Sequence, residues 1–224
     1  MFNQGGIVIG LTGYKSIMNK SLSVNRTRLI IAGFCLGILS FIIISVFWYY
    51  DYQYSLPTPK PYKFQNVATG TVLNLPKGVK SNRSKPLLLH FFNPDCPCSR
   101  FNISHFKSLI KQYKNEVNFA LVLMTNKQYK AKQIQEKFDL DIPVITDKSL
   151  AIICGVYSTP QAALFDRDNR LYFRGNYNQS RYCSDKRTEY ARIAIQSLLY
   201  SKNVLNINPL AMRAYGCRLP DCTN

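Results

Sequence analysis

The sequence predicts an α/β domain, a central mixed sheet flanked by helices, carried behind one N-terminal transmembrane helix. Three observations predict it. Residues 29–50, LIIAGFCLGILSFIIISVFWYY, run for 22 positions without a charge, enough to cross a hydrocarbon core of ~30 Å at ~1.5 Å per residue. From residue 86 on, apolar runs of strand length alternate with stretches of helical periodicity, the pattern of parallel strands joined by helices. Late in that order, Asp166-Arg167-Asp168-Asn169 reads as a turn between two strands, which adds an antiparallel hairpin.

Residues 1–28 carry Lys15, Lys20, Arg26 and Arg28 and no acidic residue. These charges before the span keep the N-terminus in the cytoplasm. Met18-Asn19-Lys20 is a plausible alternative start to Met1. Trp48, Tyr49 and Tyr50 form an aromatic belt at the far end of the span. No small-x-small cleavage site precedes Asp51, so the reading is an uncleaved signal anchor in a bacterial cell membrane, single-pass, with everything from Asp51 on extracytoplasmic or periplasmic. Residues 51–63 hold Pro57, Pro59 and Pro61 in alternation and predict an extended linker. The folded domain is expected over 64–202, with 203–224 a tail carrying a cysteine pair.

Within the domain, residues 64–67 and 71–75 suggest a short hairpin about Thr69-Gly70. Residues 87–92 are apolar or aromatic throughout and predict a strand covered on both faces. Asn93-Pro94-Asp95 supplies turn chemistry. Phe101, Phe106, Leu109, Ile110 and Tyr113 then fall at helical spacing, with Lys107, Lys111 and Lys114 left for solvent. A second buried strand follows at 117–124, a helix at 127–138, a short strand at 142–146 and a short helix at 149–155 ended by Gly155. Strands at 161–165 and 171–174 flank the late turn. Asp185 is placed to cap a final helix over 186–200.

Net charge is +17. No helix or loop concentrates the Lys and Arg as a nucleic-acid reader does, so no nucleic-acid partner is expected; an anionic membrane surface suits the charge better.

The chemistry lies in Cys96-Pro97-Cys98, where a strand hands over to a helix N-terminus. Unpaired N–H groups and the helix dipole favour a thiolate there, the form that attacks disulfides or binds soft metals. Asp95 opposes that charge and Arg100 offsets it. Of seven cysteines, Cys35 lies in the transmembrane span. The six others are an even number in an oxidising compartment. Cys217 and Cys222 bracket Arg-Leu-Pro-Asp and predict a local disulfide. Cys154 and Cys183 are further structural-disulfide candidates, with each other or Cys183 with Cys217, and connectivity stays open.

Strand, cysteine turn, helix, strand, helix, Thr159-Pro160 before a hairpin, then a final helix: this order resembles the thioredoxin fold, over about residues 86–200. The run PVITDKSLAIICGVYSTPQAALFDRDNRLYFRG, 143–175, looks like the corresponding segment of its membrane-anchored exported branch, related to TlpA, ResA and the peroxiredoxins. Cys-Pro-Cys with Arg100-Phe101-Asn102 and the terminal Gly216-Cys217 is similar to a group of such proteins catalogued as a domain of unknown function. The resemblance implies that Pro160 is cis and that Thr159 and Pro160 offer backbone groups to an extended substrate peptide. It implies Cys96 as nucleophile and Cys98 as resolving thiol. The family's motif is Cys-x-x-Cys; here one residue is missing. A bond between residues two apart is tight, and strain makes a disulfide easier to reduce.

The function expected is a thiol–disulfide oxidoreductase acting on extracytoplasmic protein disulfides, supplied by a substrate or a membrane redox donor, with no cofactor and no resident metal. One alternative is a copper-binding module on the same two thiols. His105, two helical turns past Cys98, lies ~10 Å away along the helix, too far to complete such a site. The other is a thiol peroxidase using Arg100 and Ser99 beside Cys96.

Overall fold

A computed structural model describes residues 11–52, 56–62, 64–76, 79, 84–201 and 208–220. The chain forms two compact units, Met1–Tyr52 and Gln53–Asn224. The first is helix α1, Leu11–Phe47, continued by a π-helical turn at Trp48–Tyr52. Within it, Asn25–Tyr52 is long and apolar enough to cross a membrane, and the side chains described there are nearly all exposed.

The second unit is built on a five-stranded sheet. Its strands are β1 (Leu87–Phe92), β2 (Asn118–Leu123), β3 (Val144–Ile145), β5 (Gln161–Phe165) and β6 (Leu171–Gly175), in the order β3-β2-β1-β5-β6. β1 pairs parallel to β2, β2 parallel to β3, and β5 antiparallel to both β1 and β6. The helices are α2 (Pro97–Tyr113), α3 (Ala131–Phe138), α4 (Ser149–Ile153) and α5 (Tyr190–Tyr200). This is a thioredoxin-like arrangement, with β1 in the middle and α2 leaving its C-terminal end.

β1 is central because every one of its side chains is buried. Side chains alternate across a strand, so Leu88 and Phe92 join one core and Leu87, Leu89 and Phe91 the other. The first core takes Phe106 and Leu109 from α2, Ile134 from α3 and Ala194 and Ile195 from α5; the second takes Leu150 and Ala151 from α4. His90 lies on the first face, fully buried and stacked on Phe106 at 4.2 Å.

Several elements differ from expectation. Segments 64–67 and 71–75 do not pair as a hairpin. Instead Gly70 N–H donates to Leu171 O (2.7 Å) and Leu171 N–H to Thr71 O (2.9 Å). The free edge of β6 offers backbone partners that the segment cannot supply to itself. Buried Arg174 reinforces this by donating to Asn66 Oδ1 (3.0 Å) and to the Gly155 carbonyl. α3 starts at Ala131, not 127, because Lys127 and Tyr129 reach back to Asp95. The helix expected at 186–200 is a 3₁₀ turn, Lys186–Thr188, followed by α5; Asp185 caps the turn by accepting from Arg187 N–H.

Downstream of α5, residues 208–220 pack onto the same unit. A 3₁₀ turn at Pro209–Met212 leads to strand β7, Cys217–Arg218, which pairs antiparallel with the two-residue strand β4, Ser158–Thr159.

Candidate functional site

The site begins where β1 ends. Asn93 closes a tight turn: its side chain accepts from Asp95 N–H (2.9 Å) and its carbonyl from Cys96 N–H (3.1 Å). Cys96 is the N-cap of α2, in extended conformation, and Pro97 opens the helix with φ already suited to it. No acidic side chain sits in the first turn of α2. The positive end of the helix dipole there favours negative charge.

Asp95 does not oppose that charge alone. Its carboxylate accepts from Lys127 Nζ at 2.9 Å and from Thr125 Oγ1 at 3.2 Å, and lies 3.4 Å from Tyr129 OH. The Lys127 hydrogen bond is the main reason its pKa falls below the ordinary value. The offset expected from Arg100 therefore comes from Lys127.

Cys98 is fully buried and is not part of a disulfide. The helix explains why it does not join Cys96. Residues two apart are separated by ~200° around the axis and do not face each other, whereas residues three apart do. Losing one residue from Cys-x-x-Cys turns the second thiol into the protein and puts Ser99 in the facing position. Ser99 is itself buried, its oxygen accepting from Asn93 N–H at 3.3 Å.

The partner of Cys96 is Cys217. They form a disulfide across 121 residues, with Cα atoms 6.0 Å apart. The local Cys217–Cys222 bond expected from the sequence is thereby replaced; Cys222 lies outside the described residues. Cys154 and Cys183 are free. Cys154 is buried beside α4, and burial pushes its thiol up to about 12. Cys183 approaches Asn102 instead of another cysteine, with Asn102 Nδ2 3.0 Å from its sulfur, and burial pushes it up to about 11.

Backbone pairing delivers Cys217. Thr159 is its register partner and Ser158 that of Arg218. The Thr159–Pro160 peptide bond is cis, as the resemblance implies, and the Thr159 carbonyl oxygen lies 3.6 Å from the Cys96 sulfur. Gly216 has φ +107°, and a β-carbon there would collide with that carbonyl. Upstream, Thr58 N–H donates to Ala214 O (2.8 Å), Thr58 Oγ1 to Gly216 O (3.2 Å) and Ser158 Oγ to Tyr215 O (3.3 Å). Tyr215 OH donates to Asn178 O at 2.7 Å. The segment leading to Cys217 is therefore fixed by contacts other than the disulfide. Thr58, Gly216 and Tyr215 were not singled out for these roles by sequence; Gly-Cys near the end was the one available signal.

Neither histidine joins the thiols. His90 is held near pKa 3, first by burial and then by His105. His105 Nδ1 lies 3.9 Å from Glu189 Oε1. Among the described residues no group of three or more His, Cys, Asp or Glu side chains is gathered to hold a metal. Arg100, a polarising group for the peroxidase alternative, is exposed on α2.

No curated protein matches the chain. Solved structures do. A hypothetical protein of Sinorhizobium meliloti matches with TM-score 0.57 and 19% identity, over 69% of this chain and 95% of that one. An uncharacterized conserved protein of Geobacillus kaustophilus gives TM-score 0.55 and 19% identity, over 73% and 97%. The thioredoxin domain of a thiol-disulfide oxidoreductase from Bacteroides vulgatus gives TM-score 0.42 and 15% identity, over 52% and 94%. The first two are likenesses of fold. The sequence itself is more specific: residues 64–221, from the segment beside β6 through the Cys217 strand, match one family model, and the chain belongs to the family described as Domain of unknown function (DUF6436).

Proposed function

We propose that the chain is a thiol–disulfide oxidoreductase, tethered to a bacterial cell membrane by α1 with its second unit on the extracytoplasmic side, and that Cys96 is its nucleophile. The observation that carries this reading is the disulfide from Cys96, an N-cap thiol beside a cis-proline loop, to a cysteine held on a two-residue strand.

In the reduced chain, the Cys96 thiolate attacks one sulfur of a protein disulfide. The substrate's other sulfur leaves with the bonding pair and takes a proton. The substrate backbone lies along Thr159 and Pro160, in the place of β7. Cys217 then returns as the resolving thiolate and attacks Cys96 Sγ. That releases the second substrate thiol and re-forms the Cys96–Cys217 bond. Two electrons pass to the substrate, and a dithiol or a membrane redox donor restores them. Cys217 takes the resolving role that the motif suggested for Cys98, which faces the core.

The test uses the full chain in detergent. Its disulfide is equilibrated in glutathione buffers and read by mass spectrometry of the alkylated peptides, and reduction of insulin is followed in parallel. The Cys96–Cys217 pair should titrate reversibly, Cys96→Ser should abolish insulin reduction, and Cys98→Ser should keep most of it. Activity undiminished in Cys96→Ser would overturn the proposal.

A further inference from the structure

We infer that Cys217, not Cys96, is the sulfur at which reducing equivalents enter the oxidised chain. This rests on the oxidoreductase reading above and assigns its electron-entry atom. The two cysteines of the bond are unequal in exposure. Cys96 is 2% exposed, at the end of β1 and beside the Thr159 carbonyl. Cys217 is half-buried, with half-buried Gly216 before it and exposed Arg218 after it. Thiol–disulfide exchange proceeds in line, the attacking sulfur approaching opposite the leaving one. Attack on Cys96 must reach a residue with almost no exposed surface, whereas attack on Cys217 meets a residue that is only half-buried.

The leaving groups are unequal in the same sense. Attack on Cys217 expels Cys96 as a thiolate at the N-terminus of the 17-residue helix α2. Attack on Cys96 expels Cys217, which lies on a short strand without that stabilisation. The thiol of lower pKa leaves faster. Access and leaving-group stability thus select the same sulfur from independent features of the fold.

A donor thiolate forms a bond to Cys217 Sγ as the Cys96–Cys217 bond breaks, and the bonding pair goes to Cys96 Sγ. A second donor thiolate attacks the donor sulfur of the mixed disulfide. Cys217 leaves and takes a proton, and the donor departs as a disulfide. Two electrons now reside on the Cys96 and Cys217 sulfurs.

The experiment exposes the oxidised full chain in detergent to excess reduced glutathione for short times, followed by acid quench, alkylation and peptide mass spectrometry. Glutathione is expected on Cys217, with Cys96 recovered as the alkylated free thiol, at about tenfold or more over the reverse adduct. Equal adducts, or a majority on Cys96, overturn the entry assignment while leaving the oxidoreductase reading standing. A bond that glutathione does not open overturns both.

Discussion

The Thr159 carbonyl leaves no room for a β-carbon on Gly216, the residue immediately before the disulfide-bonded Cys217. The same glycine sits at φ +107°, where side-chain-bearing residues are strained by about 1–3 kcal/mol. Gly216→Ala should therefore weaken β7 pairing and lower the Cys96–Cys217 equilibrium constant by about tenfold or more, since tenfold is ~1.4 kcal/mol. Glutathione titration with mass spectrometry reads it. Gly70 also has positive φ, +87°, with open space around it. Gly70→Ala is the control and should leave the constant unchanged; equal effects of the two would show that general destabilisation is responsible.

The disulfide closes a long loop. In the chain-entropy account, a bond across 121 residues restricts the unfolded chain by about 4–5 kcal/mol. Hydrogen bonds from Thr58, Ser158 and Tyr215 add to the disulfide in docking the tail segment. Cys217→Ser should unfold at lower temperature than the oxidised chain, at the same temperature as the reduced chain, and reductant should not lower it further. A further drop on adding reductant would reveal a second stabilising disulfide.

Much of this fold was legible because it is written locally. The continuous apolar run of residues 87–92 and the spacing after Cys98 need only a few neighbours to interpret, and β1 and α2 stand where those patterns put them. Thr159-Pro160 was legible through resemblance. The pairing of cysteines was not. Counting residues between Cys96 and Cys98 measures distance along the chain, whereas a disulfide depends on direction around the helix, and one residue fewer turns Cys98 into the core. Cys217 gave no local sign of its partner, because β4 and β7 meet only after the whole sheet has formed. The same limit hid the partner of residues 70–73, which is the edge of β6. It also hid the salt bridge that shortens α3 from its start.

His90 should make the second unit acid-sensitive. Its folded pKa is about 3 against an ordinary 6.5, because burial disfavours the charged ring and His105 adds to the effect. The unfolded chain therefore binds a proton that the folded chain does not as pH falls below 6.5. Stability is fully present above that pH, declines toward about pH 3, and is then level with respect to this group. The full loss is on the order of 5 kcal/mol. His105, also lowered by burial, acts in the same direction. Both His90 ring nitrogens lack a hydrogen-bond partner and the ring stacks on Phe106. His90→Phe is accordingly expected to fold and to flatten most of the urea-stability slope between pH 6.5 and pH 4. An unchanged slope would place the acid-sensitive group elsewhere.

Lys127 should set the reactivity of Cys96 from a distance. It neutralises Asp95, the residue before the nucleophile, through a 2.9 Å ion pair on the surface. Lys127→Ala leaves the Asp95 charge uncompensated beside the Cys96 N-cap and should raise the Cys96 thiol pKa. Asp95→Asn removes the opposing charge and should lower it. The pH dependence of Cys96 alkylation in the reduced chain, read at that peptide alone, gives both values. A merely structural ion pair, lost equally in both variants, would shift the two profiles the same way. Opposite shifts identify Lys127 as a positioning residue that holds a carboxylate away from a thiolate.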